Sequence, residues 1–117
     1  MKGKEWEMTE TVQDKSMEEI AFGLIAAAGN ARGLAFEALK AARTGEFDRA
    51  DELLKQSQDA GIEAHHIQMG LLSKEAGGDH VPVDIMLVHA QDHLMCAMLA
   101  QELIAEIVYL HKIVRGR

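Results

Sequence analysis

The chain has 117 residues, 48% hydrophobic but only 4% aromatic, which suits one domain with a single core and leaves little room for a second. A formal net charge of -7 argues against nucleic acid and against direct adsorption to an anionic leaflet, so proteins or small solutes are the expected partners. The lone cysteine, Cys96, excludes an internal disulfide and fits a reducing compartment. No segment near the N-terminus joins a basic start to an apolar run, and no uncharged stretch is long enough to span a bilayer, so a cytoplasmic protein is expected.

Residues 1–15 are polar and lack apolar periodicity, and read as a flexible N-terminal leader in which Trp6 is the one residue suited to docking. From residue 16 onward the chain reads as a single helical domain. Ser16 followed by Glu19 fits a capping box, and Ile20, Leu24, Ala27, Ala28, Ala31, Ala35, Leu39 and Ala42 continue at helical spacing until Thr44-Gly45. Gly23, Gly29 and Gly33 inside this helix each cost roughly 1 kcal/mol relative to alanine, so either another backbone approaches closely or they are simply tolerated. A second helix is predicted from Glu46 to Ala76, with Phe47, Ala50, Leu53, Leu54, Ala60, Ala64, Ile67 and Leu71 inward. The short Thr-Gly link makes it antiparallel to the first. Gly77 to Pro82 is the clearest loop, Asp84 can cap the next helix, and that third helix runs from about Val83 to Val114. Pro82 is the only proline, and strand-favouring residues are sparse, so the fold class is all-α with no sheet.

The third helix carries two apolar faces. At about 100° per residue, Ile85, His89, Asp92, Cys96, Leu99, Leu103, Ile107, Leu110 and Val114 fall on one stripe, which reads as a core-facing seam and makes Cys96 a small buried thiol. Opposite lie Met86, Leu87, Ala90, Leu94, Ala97, Met98, Ile104 and Val108. One bundle core buries one face; the other needs a partner chain, and self-association is the simplest supply. Should three copies meet on a three-fold axis, Asp92 can lie on it, where three carboxylates repel unless a cation or protons are shared.

His89 and Asp92 are the two polar exceptions on that stripe. His89 and His93, four residues apart, allow two imidazoles to bind one metal, but no acidic third ligand follows at protease spacing, and catalytic zinc is disfavoured. His65 and His66 point about 100° apart and read as surface histidines. Cys96 has no cationic neighbour to make it a nucleophile, and no glycine-rich phosphate loop is present. A lone histidine on an apolar face is most often a satisfied core residue, yet Gln91 and Asp92 beside His89 add weight to chemistry. Neutral imidazole is nucleophilic near neutral pH, which makes a covalent phosphate carrier a natural reading for a histidine at a groove edge.

The stretch Val88-His89-Ala90-Gln91-Asp92-His93-Leu94-Met95 resembles the signature of the lactose/cellobiose-class enzyme IIA components of the bacterial sugar phosphotransferase system. The likeness extends to Gly23-Leu24-Ile25, to Gly29-Asn30-Ala31-Arg32, to residues 38–47 and to the stretch around Ala64-His65, covering roughly residues 17–113, and leans toward the cellobiose/diacetylchitobiose branch. The resemblance implies an antiparallel three-helix bundle assembling into a nine-helix homotrimer. It implies that His89 is phosphorylated by the histidine-containing phosphocarrier protein and passes the group to a cysteine of the cognate enzyme IIB, for uptake of a β-linked disaccharide through a membrane permease that the chain meets only indirectly. Asp92 corresponds to the family's acidic residue at the trimer interface, where a divalent metal, magnesium the expected ion, is bound; Gln91 and His93 shape the active-site groove.

Two other classes compete. Ala41-x-x-Thr44-Gly45-Glu46-Phe47-x-x-Ala50 looks like the turn of a tetratricopeptide repeat, which would make the chain a non-enzymatic interaction module, but no second copy occurs at a spacing of about 34 residues. A metal-dependent hydrolase would lose activity on chelation, whereas phosphate carriage survives loss of a structural ion.

Overall fold

The computed structural model describes residues 16–116, so the leader and Trp6 lie outside the described residues. Three helices, α1 (Met17–Arg43), α2 (Phe47–Ala76) and α3 (Ile85–Arg115), succeed one another, with no strand among the described residues.

Each helix end has a local cause. Ser16 caps α1, its hydroxyl oxygen accepting the Glu19 N–H at 3.1 Å, with Glu18 and Glu19 in the positive first turn and Lys40 and Arg43 in the negative last one. Gly45 takes φ +81°, a backbone shape that side chains resist, so the chain reverses there and α2 starts two residues later. The Asp84 carboxylate accepts the Leu87 N–H at 2.8 Å, which places the start of α3 at Ile85 rather than Val83.

Alanine lines the inner face of α1, where Ala21, Ala28, Ala31, Ala35, Ala38, Ala41 and Ala42 are buried. Small side chains let α1 lie close to both neighbours, whereas α2 and α3 meet each other much less. Two apolar clusters result. One joins Leu24 and Ala28 to Ala64 and Leu71 of α2 and to Leu87, Ala90 and Leu94 of α3; the other joins Ala35 to Ala42 with Ala50, Leu53 and Leu54 and with Ile104 and Val108.

A polar layer lies between these clusters. Ser57 is wholly buried and its hydroxyl donates to the Ala31 carbonyl at 2.6 Å, while the Gln101 amide donates to the Ser57 carbonyl at 2.6 Å and to its hydroxyl oxygen at 2.9 Å. One serine thus ties all three helices together. A Cβ on Gly61 would stand 2.9 Å from the Gln101 amide nitrogen, so this glycine makes room for that link.

Several expectations change. The inner face of α2 includes Ser57, Gly61 and Gln68, whereas Phe47, Ala60 and Ile67 are only half-buried. A Cβ on Gly23, Gly29 or Gly33 would meet nothing within 4 Å, so no close backbone approach explains them within the chain. The face of α3 turned to the core is Leu87, Ala90, Leu94, Ala97, Ile104 and Val108, and the stripe read as a core seam faces outward. Ile85 is 87% exposed, Leu99 55% and Leu110 56%. Although no uncharged stretch reaches membrane-spanning length, α3 averages a mean hydropathy of 1.4 over 18 residues, enough by length and composition to cross a bilayer. That apolarity is divided between the core face and the uncovered stripe.

Candidate functional site

His89, Asp92, His93 and Cys96 all project from the first half of α3, on or beside its uncovered stripe. His89 is exposed and His93 half-buried. Their one-turn spacing brings the ring centroids to 4.5 Å with the planes at 78°, an edge-to-face pairing that restricts rotation of both imidazoles. His89 therefore combines an accessible ring with a restricted orientation.

Asp92 is exposed, and its nearest polar neighbour one turn on is the Cys96 thiol, a weak donor 3.8 Å from Oδ1. Cys96 is itself exposed, not the buried thiol expected, because the stripe it shares is uncovered. His65 and His66 are exposed on α2, as their spacing suggests. Among the described residues, no three His, Cys, Asp or Glu side chains gather into a metal-holding group within one chain.

Gln91 separates from His89, Asp92 and His93. Two residues from His89 is about 200° around the helix, so its side chain turns toward α2, where Oε1 accepts from the Gln68 amide nitrogen at 2.6 Å. That same nitrogen lies 3.6 Å from Met95 Sδ. Gln68 is buried and was not singled out from the sequence, although Ala64, Gln68 and Leu71 share one helical face, and a glutamine there requires a polar partner. Beyond Gln91, an apolar cavity of about 320 Å³ opens between the end of α2 and the start of α3, lined by Leu71, Leu72, Val81, Val83, Leu87 and Val88. Its rim includes Glu75, which accepts from the Val81 N–H at 2.9 Å and pairs with the His80 ring. The His80 contact, then the Val81 contact, hold the Glu75 carboxyl below its usual range.

The chain matches, over residues 19–112, the family described as PTS system, Lactose/Cellobiose specific IIA subunit. It belongs to that family. Members are phosphotransfer components of a sugar phosphotransferase system, so the interaction-module and metal-hydrolase readings fall away. The N,N'-diacetylchitobiose-specific EIIA component of Escherichia coli K12 is 47% identical over 98 residues, 84% of each chain. Among solved structures, the cellobiose-specific enzyme IIA of Bacillus anthracis superposes with a TM-score of 0.84 at 40% identity, over 88% of this chain and 95% of that one. The Escherichia coli IIA(Chitobiose)-HPr complex matches with a TM-score of 0.76 at 44% identity, over 86% of this IIA chain and 98% of that one. The family's stretch around His89 thus sits on a three-helix scaffold shared with these structures.

Proposed function

We propose that this IIA subunit carries a phosphoryl group on His89, taking it from the histidine-containing phosphocarrier protein and passing it to a cysteine of the cognate enzyme IIB, in the cytoplasm, for uptake of a β-linked disaccharide. The observation that carries the reading is the exposed His89 ring held edge-to-face against His93 inside the family stretch. Its support includes the relative solved in complex with HPr.

Phosphoryl transfer asks for positioning and charge compensation more than covalent help. A neutral ring nitrogen of His89 attacks the phosphorus of the donor's phosphohistidine. The donor P–N bond breaks, and the departing imidazole keeps the bonding pair and takes a proton. Transfer onward repeats the exchange with a cysteine thiolate as nucleophile and the His89 imidazole as leaving group. The carried group adds roughly 1.5 to 2 negative charges to an already acidic chain, so a weakly stabilised phosphohistidine releases it readily. His93 orients the His89 ring, and Gln91 contributes to the groove.

The uncovered stripe of α3 supports a homotrimer of nine helices. Leu99, Leu103, Ile107, Leu110 and Val114 are a third or more exposed in the single chain, and burying each such residue contributes on the order of 1 kcal/mol. Three-fold packing along this stripe gathers Asp92 from each copy. One carboxylate per chain cannot make a cation site alone, and three sharing an axis suit a hard divalent ion such as magnesium.

Incubation with phosphoenolpyruvate, enzyme I and the phosphocarrier protein, followed by intact mass measurement, tests the reading. One acid-labile phosphate per chain is expected, absent in His89→Ala. No gain, or the same gain in the variant, overturns it.

A further inference from the structure

Two features stand outside the phosphoryl-carrier reading: Trp6, the chain's single tryptophan, and the apolar opening between the end of α2 and the start of α3. Its lining is almost wholly aliphatic, and three of those side chains are largely uncovered, Leu72 at 53%, Val83 at 74% and Val88 at 56% exposure. Apolar surface gathered into one concave patch marks a docking place, unlike apolar residues scattered singly over a surface. At about 320 Å³ the cavity stands at the small end of the range that ligand pockets span, suited to one large side chain rather than to a helix.

The point at which the chain enters the bundle favours an occupant from within the chain. α1 begins at Met17 behind the Ser16 cap, and Met17 packs against the same apolar cluster as Val81, a cluster that includes Leu71 and Leu87 of the opening's lining. Residues 1–15 therefore join the bundle at the end where the opening lies. Trp6 precedes Ser16 by ten residues, a span of up to about 33 Å, whereas packed helix axes lie only about 10 Å apart. A tether of this length holds the ring at an effective concentration on the order of millimolar, well above that of a partner of equal intrinsic affinity free in solution. The chemistry fits as well. Trp6 is the leader's only aromatic residue, and it offers a large apolar body with one N–H that needs an acceptor when buried. At the rim, the Glu75 carboxylate accepts the Val81 N–H and pairs with the His80 ring, and its oxygens retain lone pairs for a further donor.

We propose that Trp6 of the chain's own N-terminal leader docks in the apolar opening, its ring against Leu72, Val83 and Val88. The docked leader then bridges α2 and α3, which meet each other far less than either meets α1.

Because Trp6 is the only tryptophan, its emission in the full chain reports this contact alone. Emission to the blue of the urea-unfolded chain is expected, with acrylamide quenching reduced severalfold. Leu72→Glu and Val83→Glu place a charge on exposed lining positions, where the fold tolerates it, and each should return emission and quenching to the unfolded values with helix content unchanged. In Trp6→Ala, the methyl resonances of Leu72, Val83 and Val88 should lose a ring-current shift that the parent shows. Parent emission equal to that of the unfolded chain, blue emission that survives both glutamate variants, or methyl resonances indifferent to Trp6→Ala each overturn the proposal. Methyl shifts that fade on dilution to monomers overturn docking within one chain and assign the opening to the leader of a second copy. Methyl resonances that ignore Trp6→Ala and move only when the phosphocarrier protein is added overturn it in favour of a partner surface.

Discussion

Replacing Ser57 by alanine tests whether one buried hydroxyl holds the three helices in register. The hydroxyl donates to the Ala31 carbonyl at 2.6 Å and accepts from the Gln101 amide at 2.9 Å. Ser57→Ala removes both bonds, each contributing about 1 kcal/mol net, while Gln101 keeps its 2.6 Å bond to the Ser57 carbonyl. The expected loss is about 2 kcal/mol, or a melting temperature lower by roughly 10 °C for a chain of this size. Gln101→Ala removes its two bonds to Ser57 and should cost a similar amount. The bond between hydroxyl and amide belongs to both single changes, so the double variant should cost about 1 kcal/mol less than their sum. Urea unfolding followed by far-ultraviolet circular dichroism measures this, at one fixed protein concentration because association shifts apparent stability. A Ser57→Ala loss below about 0.5 kcal/mol, or strict additivity in the double variant, refutes the account of the polar layer.

Leu103→Glu sets a charge on the uncovered stripe, where Leu103 is 54% exposed, and should leave helix content intact while sedimentation shows monomers; a variant that still assembles argues against the stripe as interface. Under the proposed three-fold packing, Asp92→Leu removes one carboxylate per copy from the axis and should leave the assembly formed and less dependent on a divalent ion, so a fall to monomer contradicts the repulsion argument. Glu75 titrates below its ordinary 4.5 because His80 and the Val81 N–H hold its carboxylate, so that link is present above about pH 4.5 and is lost as pH falls through the lower folded value. The Val81 amide resonance, followed from about pH 6 downward, should move with a midpoint under 4.5, and a midpoint at or above it removes the assigned contacts.

Helix positions were legible from the sequence because their causes are local. Ser16 before Glu19, glycine at 45, and Asp84 before an apolar run act through bonds spanning only a few residues, and the structure places the helix ends within two residues of the expected positions. His89 was legible for a related reason: a histidine and an aspartate one turn apart on an apolar stripe stand out by periodicity alone, and the pairing with His93 results from a four-residue step.

Which surface meets which was left to the tertiary structure. Both faces of α3 are apolar, so periodicity could not tell the core face from the uncovered one; Leu87, Ala90 and Leu94 were chosen because the alanine face of α1 accepts them closely. Ser57 and Gln68 are polar and Gly61 has no side chain, so none belongs to an apolar pattern; they lie inside beside partners 23 to 44 residues away, Gln91 and Gln101, which no local pattern announces. The sequence by itself determined three helices and a histidine set on an apolar stripe of the third. A two-residue step already separates Gln91 from that histidine, but only the packing decided that it meets Gln68, because burial and hydrogen-bond partnership are properties of pairs of surfaces and are absent from either surface alone.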